Sequence, residues 1–118
     1  MARVLLVDND ASLRRALART MQHAGFEVEA FASVEALLAS GAAERDACLV
    51  LDIDMPGAGG IAFRQALVDS GRDRPTVFIT ASEREGLDAQ LAALAPVAVL
   101  RKPFNNKDLL EALGRACA

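Results

Sequence analysis

Apolar and polar positions alternate along this chain in two distinct rhythms. Short continuous apolar runs recur, and between them apolar residues fall at helical spacing. Val4-Leu5-Leu6-Val7 runs straight into Asp8-Asn9-Asp10, and Ala47 to Leu51 runs into Asp52-Ile53-Asp54 before a Met55-Pro56-Gly57 turn. Runs of this kind suit strands buried on both faces. An unpaired carboxylate in the middle of such a strand is too costly, so Asp8 and Asp52 are expected where the chain leaves the sheet. Phe26-Glu27-Val28-Glu29-Ala30 alternates apolar with acidic and predicts an edge strand with one wet face. Thr76 to Thr80, opened by Pro75, and Val97 to Leu100 complete five strands.

Each strand is followed by a helical pattern. Ser12 is placed to cap a helix with Leu13, Ala16, Leu17, Met21 and Ala24 inward, stopped by Gly25. Ser33 starts a short helix through Leu37 and Leu38, ended by Gly41. Gly60 to Ser70 predicts a third, with Phe63, Ala66 and Leu67 inward and Gly71 closing it. Ser82-Glu83-Arg84-Glu85 reads as a capping box for a fourth, carrying Leu87, Leu91 and Leu94 and broken by Pro96. Asn105 caps the last, with Leu109, Leu110 and Leu113 buried. Strict alternation of strand and helix implies an α/β fold, a parallel sheet with helices on both faces. The pattern leaves the strand order open.

The 118 residues suit a single domain spanning 1–118, and 53% of them are hydrophobic. Without Trp or Tyr, the core is built from Val, Leu, Ile, Ala and five Phe. The formal net charge of -3 and the lack of a basic patch argue against a direct nucleic-acid partner. No apolar run is long enough to cross a bilayer, and Met1-Ala2-Arg3-Val4 lacks the apolar segment of a signal peptide, so a cytoplasmic location is expected. Two cysteines make no disulfide framework: Cys48 is expected as a small core residue and Cys117 as an exposed thiol. His23 falls in the last turn of its helix, where a solvated, dipole-compatible residue is expected.

In a parallel sheet the strands' carboxyl ends share one rim, where ligands bind. Strand one delivers Asp8, Asn9 and Asp10 there, strand three Asp52 with Asp54 two residues on, strand four Thr80, and strand five Lys102. Clustered carboxylates need a counterion, and an oxygen-rich set suits Mg²⁺. Carboxylate, metal, hydroxyl and lysine together are what phosphoryl transfer to a carboxylate requires. No Walker loop or dinucleotide glycine fingerprint points to a nucleotide. At any single position a helix cap, a strand former or a solvated charge is the simpler explanation; four strand ends agreeing is the argument.

On these residues the chain resembles the response-regulator receiver domains of bacterial two-component signalling. The matching pieces are Val7-Asp8 with its acidic loop, Leu51-Asp52-Ile53-Asp54-Met55-Pro56-Gly57, Gly60, Thr80-Ala81 and Lys102-Pro103-Phe104. The resemblance implies a flavodoxin-like doubly wound five-stranded sheet in the order 2-1-3-4-5, of which receivers are a standard example. It makes Asp52 the phosphoacceptor, Thr80 the switch hydroxyl and Lys102 the phosphate partner. It places Mg²⁺ on Asp8, position 9, Asp52 and position 54, where the family uses the backbone carbonyl. It implies a histidine kinase or phosphotransfer protein as donor, no enzymatic activity beyond self-phosphorylation and autodephosphorylation, and an output face over residues 82–118. That face would serve an output domain, a downstream protein or a phosphorylation-linked dimer.

Three positions depart from the family pattern: Asn9 stands where an acid is usual, Val99 where Phe or Tyr is usual, and Ala95-Pro96 where Gly-Ala is usual. Asn9 brings no charge to the metal, and the Asp54 side chain is expected to compensate, directly or through a metal-bound water. Val99 is too small to swing as a ring does, so change on phosphorylation is expected in the loop from Ala81 to Glu85. Two other readings stay open: a pseudo-receiver that works without phosphorylation, and a haloacid-dehalogenase-type phosphatase using Asp52-x-Asp54. The second lacks that family's order, since two strand–helix units precede Asp52 and Asp108 is the only aspartate that follows Lys102.

Overall fold

The computed structural model describes residues 2–54 and 59–117, so the expected Met55-Pro56-Gly57 turn lies outside the described residues. The elements are β1 (Arg3–Val7), α1 (Ala11–His23), β2 (Glu27–Phe31), α2 (Val34–Ser40), a 3₁₀ turn (Ala42–Glu44), β3 (Cys48–Asp52), α3 (Gly60–Asp69), β4 (Thr76–Thr80), α4 (Leu87–Ala92), β5 (Ala98–Arg101) and α5 (Asn106–Ala116). Among the described residues the strands form one parallel sheet in the order β2-β1-β3-β4-β5. The edge strand β2 is the one whose sequence alternates, and β3 and β4 are buried throughout.

The pleat sorts the core into two layers. Val7, Leu51, Phe78 and Val99 lie in one register row and pack with residues of α2, α3 and α4. Val4, Leu6, Val50, Val77 and Ile79 point the other way, against Leu17 and Met21 of α1 and Leu109, Ala112 and Leu113 of α5. Asp52 pairs with Ile79, and Ile79 with Leu100, so Asp52 belongs to the row that faces α1 and α5.

Several local expectations are corrected. Asp10, not Ser12, caps α1: its backbone is extended and its carboxylate accepts from the Ser12 and Leu13 amides. In α3 the buried stripe is Gly60, Phe63, Arg64 and Leu67, an i, i+3, i+4, i+7 set that leaves Ala66 exposed. Arg64 is held inside by Asp73 and by the Arg74 and Leu94 carbonyls. The capping box does not form. Ser82 Oγ accepts from the Arg84 amide, and α4 begins only after Gly86, whose left-handed φ of 81° turns the chain. Leu87, Leu91 and Leu94 are nevertheless buried as their spacing requires. Asn105 caps α5 through the Asp108 amide, and Leu110 is only half-buried. Cys48 is a core residue as expected, but Cys117 is no free thiol: the two are joined in a disulfide, with Cα atoms 6.0 Å apart. The pairing is tertiary: α5 returns its carboxyl end to the start of β3, which local pattern cannot reveal. His23 is exposed in the last turn of α1.

Candidate functional site

Asp8 directly follows β1 and Asp52 is the last residue of β3, and both side chains are buried, at 0% and 1% exposure. Burial holds because the backbone supplies partners. The Asp10 amide donates to Asp8 Oδ1 (2.9 Å) and the Asp54 amide to Asp52 Oδ1 (2.8 Å). Each carboxylate thus folds back on the chain two residues later, an Asx turn that closes the strand end. Lys102, in the turn after β5, brings Nζ to 3.2 Å from Asp52 Oδ2 and 3.7 Å from Asp8 Oδ2. Arg14 of α1, which sequence reasoning did not single out, donates to the Asp8 backbone carbonyl (2.7 Å) and ties α1 to the same corner.

One lysine faces two buried carboxylates, so the corner is short of positive charge. Burial pushes the Asp8 carboxyl up from its ordinary value; the Asp10 amide opposes this, the Asp52 carboxylate reinforces it, and Lys102 pulls it down. Asp8 Oδ2 has no hydrogen-bond partner. An orphaned carboxylate oxygen beside a second buried carboxylate fits a hard divalent cation. Among the described residues no group of three His, Cys, Asp or Glu side chains is gathered in metal-holding fashion. Asn9 is exposed beside this corner.

Gly60 shows how closely α3 approaches. A Cβ there would lie 3.0 Å from the Asp52 carbonyl oxygen and 3.1 Å from Leu51 Cβ. The helix start is therefore seated on the backbone of the strand that ends in Asp52.

Thr80 is brought to the same rim but points away from Asp52. It sits one residue past Ile79, the partner of Asp52, so the pleat turns its side chain toward the opposite layer. Its hydroxyl, fully buried, donates to Asp54 Oδ1 (2.8 Å) and accepts from the Ser82 amide (2.9 Å). The Ala81 amide donates to Asp54 Oδ2 (2.6 Å). Asp54, expected at the metal, therefore has both carboxylate oxygens on the end of β4. The Asp54 side chain is not gathered with Asp8 and Asp52, whereas Lys102 is. Arg101 adds a clamp that the sequence did not signal: its guanidinium donates to the Ser82 carbonyl and pairs with Asp88 in the first turn of α4. Beside Lys102 a groove of about 540 Å³ runs between α1 and the β5–α5 turn, lined by Leu13, Leu17, Ala81, Pro103 and Phe104.

A parallel 2-1-3-4-5 sheet with an acid corner facing a lysine defines a class, and comparison with known proteins agrees. The family model described as the response regulator receiver domain matches residues 4–114. The chain belongs to this family, the receivers of two-component response regulators, whose typical role is phosphorylation-dependent signalling. It is 33% identical over 110 residues to nodulation protein W of Bradyrhizobium diazoefficiens, covering 93% of this chain and 48% of that protein. Among solved structures, the response regulator StyR superposes with a TM-score of 0.89 at 34% identity, covering 98% of this chain and 59% of that one. The chemotaxis protein CheY4 of Vibrio cholerae superposes with a TM-score of 0.85 at 32% identity, covering 98% of each chain. The chain spans about half the length of the first curated relatives it matches. Its homologues are response regulators rather than enzymes in the usual sense, receivers bind Mg²⁺ at their acidic pocket, and no helix among the described residues is long and apolar enough to cross a membrane.

Proposed function

We propose that this receiver takes a phosphoryl group onto Asp52 from a phosphohistidine of a histidine kinase or phosphotransfer protein. The observation that carries the reading is the Asp52 carboxylate itself: buried at a strand end, one oxygen held by the Asp54 amide and the other against Lys102, with the Asp8 carboxylate alongside. In the transfer an Asp52 oxygen attacks phosphorus, the phosphorus–nitrogen bond breaks, and its electron pair returns to the imidazole. Lys102 stays with the phosphoryl oxygens as charge builds on them. Reversal to the resting state is hydrolysis: water attacks phosphorus, phosphate leaves, and the Asp52 carboxylate is restored.

Asp8 and Asp52 are the residues to hold Mg²⁺, with Asn9 as a neutral oxygen donor and residue 54 completing the set. The ion supplies neutralisation of the transferring phosphoryl charge. The Asp54 side chain can reach that set only after leaving Thr80 and Ala81. The groove between α1 and the β5–α5 turn, opening beside Lys102, suits the donor's helix. Thr80 and the loop that follows it lead to the output face, residues 82–118, which meets an output domain, a downstream protein or a second copy. The place of work is the cytoplasm, where such kinases present their phosphohistidine.

Incubation with acetyl phosphate and Mg²⁺ followed by intact mass tests the reading. A single phosphate adduct is expected, absent in Asp52→Ala. A second reading, the phosphorylation-independent pseudo-receiver, is favoured by Asn9 and Val99 and predicts no adduct in either protein.

A further inference from the structure

The two donors at the end of β4 are already occupied. Thr80 has one hydroxyl proton, and it is given to Asp54 Oδ1 at 2.8 Å; the neighbouring Ala81 N–H is given to Asp54 Oδ2 at 2.6 Å. Hydroxyl and amide thus grip the two oxygens of a single oxyanion, and Thr80 is fully buried while doing so. The grip is fixed from behind, because Thr80 Oγ1 also accepts from the Ser82 amide (2.9 Å) and Arg101 donates to the Ser82 carbonyl. Asp54 in turn is tethered through its own amide to Asp52 Oδ1 (2.8 Å). The residue that occupies the cradle is therefore bonded to the residue that would carry the phosphoryl group.

We infer that the Asp54 carboxylate is an internal competitor of the phosphoryl group for the Thr80 hydroxyl and the Ala81 amide. Asp54 is a positioning residue that holds the β4–α4 loop in its resting place. The inference rests on the receiver reading and deepens it: switching is an exchange of one oxyanion for another in the same cradle. A phosphoryl group on Asp52 has oxygens for the metal side, for Lys102 and for the end of β4. To engage the last it must displace Asp54, breaking two charge-assisted hydrogen bonds before making its own. The competition therefore subtracts from the free energy available for switching and sets a threshold for it. It also explains how a receiver with Val99 in place of an aromatic ring can hold its switch loop: the hold is polar and lies at Asp54 and Arg101.

The probe is beryllofluoride with Mg²⁺, a stable mimic of an aspartyl phosphate, followed by backbone amide NMR and calorimetry. Asp54→Ala is expected to bind beryllofluoride about tenfold more tightly than wild type, since even one net hydrogen bond to a charged group is worth that much. The Ala81 and Ser82 amide resonances should already be shifted in the free variant. Mg²⁺ alone should bind wild type and Asp54→Ala equally, because the carboxylate is engaged elsewhere at rest. In a Thr80→Val background the gain from Asp54→Ala should shrink. Equal or weaker beryllofluoride binding by Asp54→Ala, or a loss of Mg²⁺ affinity in that variant, overturns the inference and returns Asp54 to the metal. Failure of wild type and variant alike to bind beryllofluoride overturns the receiver reading beneath it.

Discussion

Lys102 and Asp52, fifty residues apart in the chain, meet at 3.2 Å between Nζ and Oδ2. The contact depends on the sheet order, because β4 separates β3 from β5 and a lysine must reach across the rim from the far strand. Asp52 is buried and Lys102 keeps about a fifth of its side chain in solvent (22% exposed), so the pair is neither a surface ion pair nor a fully desolvated one.

Lys102→Ala leaves two buried carboxylates with no cation between them. The metal-free variant should lose about 1–3 kcal/mol, below the range for a fully buried pair because Lys102 is partly solvated. Mg²⁺ should restore more stability to the variant than it adds to wild type. Urea unfolding of both proteins with and without Mg²⁺ checks this; an equal Mg²⁺ increment in both would mean that lysine and metal do not share the same carboxylates.

The Asp8 carboxyl is held above its ordinary value by burial, so the folded protein holds that proton more tightly than the unfolded chain does. The native state then binds more protons between the two values, and stability falls as pH rises from about 4 through the folded value. Asp8→Asn removes this titration. It should melt higher than wild type at neutral pH without metal, show a flatter slope above pH 4, and lose the Mg²⁺-induced rise in Tm. Thermal melts from pH 4 to 8 decide it.

Cys48 opens β3 and Asp52 ends it, about 13 Å apart at the rise of a strand. The Cys48–Cys117 bond therefore staples α5 to the rim opposite the acid corner. It spans 69 residues of chain, a closure worth about 4 kcal/mol on chain-entropy grounds. Reduction, or Cys117→Ser, should lower the urea midpoint markedly and leave the acetyl phosphate adduct on Asp52 intact. Reducing compartments keep most thiols open, so the reduced form is the one to compare with kinase assays. Loss of the adduct on reduction would show that α5 couples the two rims.

How far the sequence alone carries is clearest at these same residues. Asp8 and Asp52 are legible because a strand buried on both faces leaves a charged residue nowhere to go but its end, and Lys102 because it leaves the last apolar run of the same parallel sheet. The order 2-1-3-4-5 came with the family resemblance, since alternation of strand and helix is the same in any parallel α/β order. Residues that act across the fold were not legible. Arg101 reads as a solvated charge until α4 brings Asp88 beside it, and Arg64 reads as the polar face of α3 until the Leu94 carbonyl faces it. Cys48 and Cys117 read as unrelated. Asp54 stands out in the sequence for its charge, and its position in the chain points to the metal. Its partner is set by the pleat, which turns Thr80 away from Asp52 and toward the residue two further on.

The final prediction concerns Asn9, which is exposed beside the buried Asp8–Asp52 pair. Asn9→Asp adds a third negative charge to a corner that holds one lysine. Without metal the added charge repels two carboxylates that cannot move into water, so the variant should be slightly less stable than wild type. With Mg²⁺ the sign reverses, because a charged oxygen ligand replaces a neutral one. An extra charge at contact distance in a partly wet site is worth about 1 kcal/mol, so Mg²⁺ affinity should rise roughly three- to tenfold. The gain should fall at high salt. It should also be the same in an Asp54→Ala background, because the Asp54 carboxylate is bound to Thr80 and Ala81 and lends no charge to the resting metal site. A larger gain in that background, measured as a double-mutant cycle on Mg²⁺ affinity, would mean that Asp54 does supply the charge that Asn9 lacks.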